Sequence, residues 1–310
     1  MKTLPETWLI IINPAAGNGS APPTWERLRI TLDAANIDHQ FALTKHPGHA
    51  TELAKAAAEA GGRKFLVIGG DGTANEVING LFQSAIPTDE FVMGMISSGT
   101  GNDWVRTIGS HGVIEDIPRA LRACDAISYD AGLLTFQENG TEKQRYFLNI
   151  AGMGFDGAVA KKLSEGGGWL SQTRFRYWGA LIGSLLTYQH TDMEFIIDGV
   201  PFSYRTLSVA AGIGKYNGGG MKQLPFADFN DGKLDLTIIT TMSKFKMIIS
   251  LPRLINGSFT KMQQVRTFQA RQIEMRSPVP VHVEADGEYL GQLPVSMEVI
   301  PSAINILRWK

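Results

Sequence analysis

Three clusters of residues have types and spacing that could do chemistry. The first is Gly69-Gly70-Asp71-Gly72-Thr73-Ala74-Asn75-Glu76, directly after the apolar run Phe65-Leu66-Val67-Ile68. A buried strand that enters a helix through a glycine turn exposes backbone N–H groups at the helix start, which makes an anion site. Asp71 would repel a phosphate there unless a divalent cation lies between them or the carboxylate handles a proton. An ordinary strand–turn–helix accounts for the stretch equally well, with Thr73 and Glu76 in capping-box spacing. The second cluster is Asp228-Phe229-Asn230-Asp231-Gly232-Lys233. Its oxygen ligands suit a hard cation such as Mg²⁺ or Ca²⁺, and a solvated hairpin end is the other reading. The third is Glu284, Asp286 and Glu288. A carboxylate there could serve as a general base toward a hydroxyl, or the group is a polar turn.

The elements that must position these residues follow from the apolar pattern. Trp8-Leu9-Ile10-Ile11-Ile12 reads as a buried strand, entering the small-residue loop Asn13–Ser20. A helix is expected from Thr24 to Ala35, a strand from Ile37 to Leu43 ending at Thr44, and a helix from Ala50 to Ala60 stopped by Gly61-Gly62. The 65–68 strand and its helix run to about Phe82. Phe91–Ile96 forms a fourth strand emptying into Ser97–Asp103, and a helix over Ile117–Arg122 ends the half. This alternation means a parallel sheet covered by helices, with ligands expected at the carboxyl ends of its strands. Several loops of Gly, Asn, Ser and Thr on that one edge suit a phosphate chain. No G-x-x-x-x-G-K-[ST] is present, so the P-loop enzymes are excluded.

Beyond about Tyr129 the pattern changes. Asn139-Gly140, Asp198-Gly199, Asp231-Gly232 and Asp286-Gly287 punctuate alternating segments, as hairpin turns do. They imply an antiparallel β domain interrupted by helices. Tyr177–Leu186 and Lys244–Phe259 are strongly apolar helices, expected to pack on a core, with a lipid-facing surface as the alternative. Gly152-Met153-Gly154-Phe155-Asp156-Gly157 matches a dinucleotide fingerprint, but no acidic residue ends a second strand about 20 residues on. Glycines packing a strand against a helix explain it better.

Bulk properties narrow the classes. The length of 310 residues suits two domains, and a hydrophobic content of 44% supplies real cores. A net charge of −1 gives no basic field, so no nucleic-acid partner is expected. The single cysteine, Cys124, leaves no internal disulfide and no cysteine metal cluster. The first residues lack a signal-peptide layout and no apolar run reaches about 18 residues, so a cytoplasmic protein is expected.

Taken together, the motifs resemble the diacylglycerol kinase catalytic family of bacterial lipid kinases, relatives of sphingosine and ceramide kinases. The likeness spans nearly the whole chain, in family order. It is carried by Asn13-Pro14-x-x-Gly17, Thr44 with Gly48-His49-Ala50, Gly69-Gly70-Asp71-Gly72-Thr73-x-Asn75-Glu76 and Gly99-Thr100-Gly101-Asn102-Asp103, then by Asn149-x-x-Gly152-x-Gly154-Phe155-Asp156, Asp231-Gly232-x-Leu234 and Asp286-Gly287-Glu288. NAD kinases share the core of the Asp71 block; the Gly-Thr-Gly-Asn-Asp block and the last motif favour lipid kinases.

The resemblance implies an α/β N-terminal nucleotide domain over 1–128, with an NAD kinase/phosphofructokinase-like parallel sheet. It implies a C-terminal antiparallel β-sandwich-like domain with helical insertions over 129–295, and a segment 296–310 returning to the first domain. ATP would be held by Asn13, Pro14, Ala15, Ala16, Gly17, Thr44, Gly69, Gly70, Asp71, Gly72, Thr73, Asn75 and Thr100. Asp71 would lie near the phosphates and the catalytic Mg²⁺. Asp228, Asp231 and the carbonyl of Lys233 resemble a second, structural Mg²⁺ site. Glu288, with Asp286 beside it, matches the base that deprotonates the lipid hydroxyl. The expected activity is transfer of the γ-phosphate of ATP to a lipid, diacylglycerol first, at the inner face of the membrane, and the likeness suggests a homodimer. The competing readings are a soluble-substrate kinase of the NAD kinase type and a non-enzymatic nucleotide- or lipid-binding regulator.

Overall fold

Apolar runs ended by glycine loops build the first half of the chain as the sequence leads one to expect. The computed structural model describes residues 7–98, 101–110, 112–138, 140–165, 183 and 188–309. Two units divide the chain: Met1–Ala131 with Pro301–Lys310, and Gly132–Ile300.

In the first unit, β1 (Trp8–Ile12), β2 (His39–Leu43), β3 (Lys64–Gly69) and β4 (Val92–Ser97) are parallel, in the order β2-β1-β3-β4. The end of β15 (Val295–Leu307) adds a further parallel strand, with Asn305 and Ile306 opposite Val92 and Met93. Alternate residues of β1 face opposite sides of the sheet. Trp8, Ile10 and Ile12 join Leu66 and Ile68 in a core with Trp25, Leu28 and Leu32 of α1 (Ala21–Ala34) and Ile117 and Leu121 of α5 (Ile117–Ala123). The opposite face is covered by α2 (His49–Glu59) and α3 (Asp71–Phe82). These two helices pack closely, because a Cβ on Gly80 would lie 2.3 Å from the Thr51 carbonyl oxygen. Crossovers leave β1 toward β2 and return past it to β3. The loops after β1 and β3 therefore flank the switch point, where open α/β sheets bind ligands.

Two expectations need correction. The first helix starts at Ala21, because Pro22 and Pro23 fit a first turn where N–H groups lack partners anyway. Thr73 and Glu76 do not form a capping box. The helix begins at Asp71 behind Gly70, Thr73 receives a bond from Asn13 Nδ2, and Glu76 accepts the backbone N–H groups of Gly48 and Ala50. Glu76 thus caps α2, its neighbour, rather than its own helix. A short helix, α4 (Asp103–Ile108), follows the loop after β4.

The second unit is antiparallel and sandwich-like. Its long strand β9 (Val200–Gly212) pairs with β8 (Thr191–Ile197) along its first half, and with β7 (Ile150–Gly154) and β10 (Leu234–Thr240) along its second. β13 (His282–Ala285) lies between β7 and β14 (Glu288–Gln292). The Asp198-Gly199 and Asp286-Gly287 turns have left-handed pairs, with φ of 46° and 80°, and 49° and 86°. That is the twist a two-residue hairpin requires. Helix α6 (Phe155–Glu165) packs against β13, where a Cβ on Gly157 would fall 2.2 Å from the His282 carbonyl oxygen. Helix α7 (Lys244–Asn256) is apolar and packs by one face over the β9–β10 region, through Met247, Leu251 and Leu254. The Tyr177–Leu186 stretch, apart from Gly183, lies outside the described residues, as do Asn139 and Thr100. Among the described residues no helix is long and apolar enough to cross a membrane.

Candidate active site

Backbone geometry makes the candidate site of the first unit. Asn13, at the end of β1, donates from Nδ2 to Thr73 Oγ1 at 3.0 Å and accepts the Ala15 N–H at Oδ1. Pro14, Ala15 and Ala16 lead into consecutive left-handed residues, Gly17 (φ 59°), Asn18 (φ 54°) and Gly19 (φ 86°). A Cβ at Gly17 would lie 1.6 Å from the Ser98 carbonyl oxygen, so the β1 loop touches the β4 loop only because this residue is glycine. Ser98 Oγ is buried without a hydrogen-bond partner, a spare hydroxyl beside that turn. The Thr44 N–H reaches the Ile12 carbonyl, which brings the end of β2 to the same edge. Gly69 and Gly70 close β3; a Cβ on Gly69 would strike Thr73 at 2.7 Å. Gly72 sits in the first turn of α3, while Asn75 is buried deeper in that helix and accepts Asn79 Nδ2 at 3.0 Å. The expected nucleotide residues that are described thus share one sheet edge, with Asn75 set back beneath it.

Asp71 is committed to the same edge. Its carboxylate accepts the N–H groups of Asp103 at 3.0 Å and Trp104 at 3.3 Å, the first residues of α4. Burial raises its pKa, opposed by those two bonds and by Arg106. Arg106 pairs with Asp103 at 2.7 Å. Asp71 therefore clamps the β3 loop to the β4 loop besides bringing negative charge to the cradle.

In the second unit the Asp286-Gly287-Glu288 turn divides its labour. Asp286 accepts the N–H groups of Leu148, Asn149 and Ile150 at 2.9 to 3.1 Å, so both its oxygens are engaged in holding the β6–β7 junction, β6 being Thr141–Phe147. Glu288 has its side chain 41% exposed, and it forms an ion pair with Arg145 of β6. Arg145 Nε is buried with no hydrogen-bond partner. The sequence did not single out Arg145, because its strand neighbours carry no motif.

Glu284 lies beneath this turn, 2% exposed. Its Oε2 accepts the Gly287 N–H at 2.8 Å, and its Oε1 faces Asn217 Nδ2 at 3.4 Å. Asn217 also reaches Gln223, which donates to Asp156, and Asp156 receives the Ser208 hydroxyl at 2.6 Å. A polar chain therefore runs from Ser208 and Asp156 to the backbone of the acidic turn. Burial pushes Glu284 up to about 8, with Asp156 and Asp286 adding repulsion, and pushes Asp156 up to about 6 against its two hydrogen bonds. Gly152 makes room for both acids; a Cβ there would lie 2.4 Å from Glu284 Oε1 and 2.8 Å from the Asp156 Cβ. The Gly152–Gly157 motif was the only local signal for Asp156. Ser208, Asn217 and Gln223 had none.

Asp156, Ser208 and Gln223 form the polar end of a cavity of about 70 Å³. Its walls are apolar, among them Phe155, Leu207, Met221, Met247, Leu254 and Phe259. Apolar walls with a few convergent polar groups are the make-up of a ligand site.

The expected metal residues lie at an exposed turn. Asp231 Oδ1 accepts the Lys233 N–H at 3.0 Å. Burial raises the pKa of nearby Asp235, and the carboxylates of Asp231 and Asp228 add to that rise. The donors are all oxygen, the ligand type a hard cation takes. Among the described residues, it is His46, His49 and Glu52 that bring potential ligand atoms within 4.8 Å of one another, but His49 Nδ1 already accepts the Lys45 N–H.

Comparison with known proteins bears on both halves. Residues 7–134 match the diacylglycerol kinase catalytic domain, and residues 149–308 match the YegS C-terminal NAD kinase beta sandwich-like domain. The chain is 28% identical over 305 residues to a diacylglycerol kinase of Mycobacterium tuberculosis, covering 96% of this chain and 94% of that one. It is 29% identical over 294 residues to a diacylglycerol kinase of Bacillus subtilis, covering 92% and 90%. A crystal structure of a diacylglycerol kinase from Bacillus anthracis has the same fold, with a TM-score of 0.73 at 22% identity, over 99% of this chain and 98% of that one.

Proposed function

The chain belongs to the diacylglycerol kinase catalytic family of kinases, and from that premise we propose that it transfers the γ-phosphate of ATP to a lipid hydroxyl, with diacylglycerol as acceptor and phosphatidic acid as product. The observation that carries the lipid reading is the apolar cavity of the second unit, whose polar end is wired to the acidic turn. A soluble nucleotide acceptor would need a polar site instead. The acyl chains lie along Met221, Met247, Leu254 and Phe259, and the polar portion of the lipid meets Asp156, Ser208 and Gln223.

The loops Asn13–Gly17, Thr44, Gly69–Thr73 and Thr100 bind the triphosphate through amides and hydroxyls, with Asn75 supporting them. The orphaned Ser98 hydroxyl and the glycine-only contact at Gly17 fit that use. Phosphoryl transfer asks mainly for positioning and charge neutralisation. The lipid oxygen attacks the γ-phosphorus, the bond to the bridging oxygen breaks, and ADP leaves. Glu288 takes the hydroxyl proton, since Asp286 has its oxygens committed to backbone N–H groups. Mg²⁺, when bound, offsets phosphate charge near Asp71. A second ion would be held by Asp228, Asp231 and the Lys233 carbonyl, where it relieves the carboxylate crowding around Asp235. The enzyme works as a peripheral protein at the inner face of the membrane, because its acceptor resides in a bilayer.

The test is transfer of labelled γ-phosphate from ATP with Mg²⁺ to diacylglycerol, sphingosine, ceramide, phosphatidylglycerol and monoacylglycerol in mixed micelles, with NAD as the soluble control. Labelled phosphatidic acid is the expected product. Label on NAD alone, or on no acceptor, overturns the reading.

A further inference from the structure

Helix α7 is apolar on two opposite faces, and among the described residues only one of them packs against the rest of the second unit. Met247, Leu251 and Leu254 point inward and line the cavity. On the outward side Phe245 is 74% exposed, Ile248 47%, Ile249 57% and Ile255 60%. Positions 245, 248, 249, 252 and 255 follow the helical repeat, so they form a single stripe. A helix on a water-facing surface carries polar side chains there; one that is apolar all round is normally enclosed. Leaving side chains of this size in water forfeits the free energy that their burial would return. The patch continues past the helix. Pro225 lies against Gly257, where a Cβ would fall 2.8 Å from the proline ring, and the next residue, Phe226, is 64% exposed.

Charge identifies what covers the stripe. Residues 236–273 contain Lys244, Lys246, Arg253, Lys261, Arg266 and Arg271, and no Asp or Glu at all. Lys244 and Arg253 are exposed on the helix itself, and Lys261 is exposed just beyond it. An apolar stripe on a helix whose own charges are all positive is the composition of helices that lie in the interface of anionic bilayers. A second copy of the chain is a poorer match, because a two-fold contact would set these cations against their own equivalents.

We propose that α7, together with Phe226, is the membrane-seating element of this protein, with Phe245, Ile248, Ile249 and Ile255 among the acyl chains of an anionic leaflet and Lys244 and Arg253 among its headgroups. The same helix walls the cavity by its other face, so a lipid leaving the leaflet meets the cavity wall directly. The purpose of the surface rests on the lipid-kinase reading; its existence is tested without ATP.

The experiment is cosedimentation of the full chain with vesicles of phosphatidylcholine alone, or of equal parts phosphatidylcholine and phosphatidylglycerol. The variants are Phe245→Ser/Ile249→Ser and Lys244→Glu/Arg253→Glu, each checked for native circular dichroism and melting. The wild type should partition to the anionic vesicles, and each double variant should lose at least about tenfold of that partition, as expected for two interfacial contacts. An environment-sensitive dye on Ile249→Cys, in a Cys124→Ser background, should shift to the blue on adding the anionic vesicles. Unchanged partition in the folded variants, or a dye that stays in water, overturns the proposal. So does a serine variant that turns a dimer into a monomer without altering vesicle binding. Vesicle binding without phosphoryl transfer to any micellar lipid keeps the docking surface and rejects the kinase reading; transfer in micelles without vesicle binding does the reverse.

Discussion

The proposed phosphate cradle of the first unit and the proposed acidic site of the second are built by different means. The cradle is made of backbone: left-handed glycines, loop amides and a few short side chains at the ends of parallel strands. Its carboxylate Asp71 is held by two N–H groups of the next loop. The second site is made of side chains brought from distant strands. Its buried acids, Glu284 and Asp156, are pushed toward their neutral forms by burial, and a polar chain ties the cavity to the turn that bears Glu288. The difference teaches where each site is vulnerable. A backbone site fails when one Cβ intrudes, whereas a side-chain site fails when a charge or a hydrogen-bond partner is changed.

The largest effect is expected at Glu288. Glu288→Gln keeps the shape of the turn and removes the base, so kcat should fall by about 10²–10⁴ with the melting temperature unchanged. Asp286→Asn should instead lower stability, because an amide cannot satisfy three backbone donors as a carboxylate does, at about 1–3 kcal/mol by denaturant titration. Near-normal turnover in Glu288→Gln would remove that residue from the chemistry. On the other side of the comparison, Gly17→Ala drives a Cβ into the Ser98 carbonyl, and a misplaced cradle should cost about 10² in turnover with a raised KM for ATP. Gly19→Ala is the matched control: it is also left-handed, at φ 86°, but nothing lies within 4 Å of its Cβ. It should cost only about 1–2 kcal/mol of backbone strain.

A pH measurement sharpens the contrast. Glu284 and Asp156 have folded pKa values raised to about 8 and about 6, above their ordinary values of 4.5 and 3.8. The folded state therefore holds more protons than the unfolded one in that window. Stability from these groups is complete below their ordinary pKa values and is lost as pH rises through 6 and then 8. Thermal melts across pH 5 to 9 should fall less steeply for Glu284→Gln than for the wild type (the window spans the two values above). Equal slopes would mean that Glu284 is ionised in the fold. The smallest effect is expected at Glu76→Ala, which uncaps α2 at Gly48 and Ala50 and should cost about 1 kcal/mol in a melt while leaving lipid-side KM unchanged.

How much could be read from the chain follows the same division. The parallel strands, their glycine loops and the hairpin turns at Asp198-Gly199 and Asp286-Gly287 were legible, because strand periodicity and left-handed turns act over a few residues. The motif set also pointed to the kinase family that the domain matches show. The partner of Glu76 was not legible: capping-box spacing looked local, yet the side chain caps a helix that starts 27 residues earlier in the sequence, at His49. Nor was the cavity. Asp156, Ser208, Asn217, Gln223 and Glu284 are scattered over more than a hundred residues, and only strand pairing and the space left by Gly152 bring them together. In helix α7 the sequence determined an apolar, basic segment, but the tertiary structure decided which face is buried and which is left exposed. The physical reason is range. Backbone conformation is set by near neighbours, while burial, and with it pKa, cavity and exposed surface, is set by residues that become neighbours only on folding.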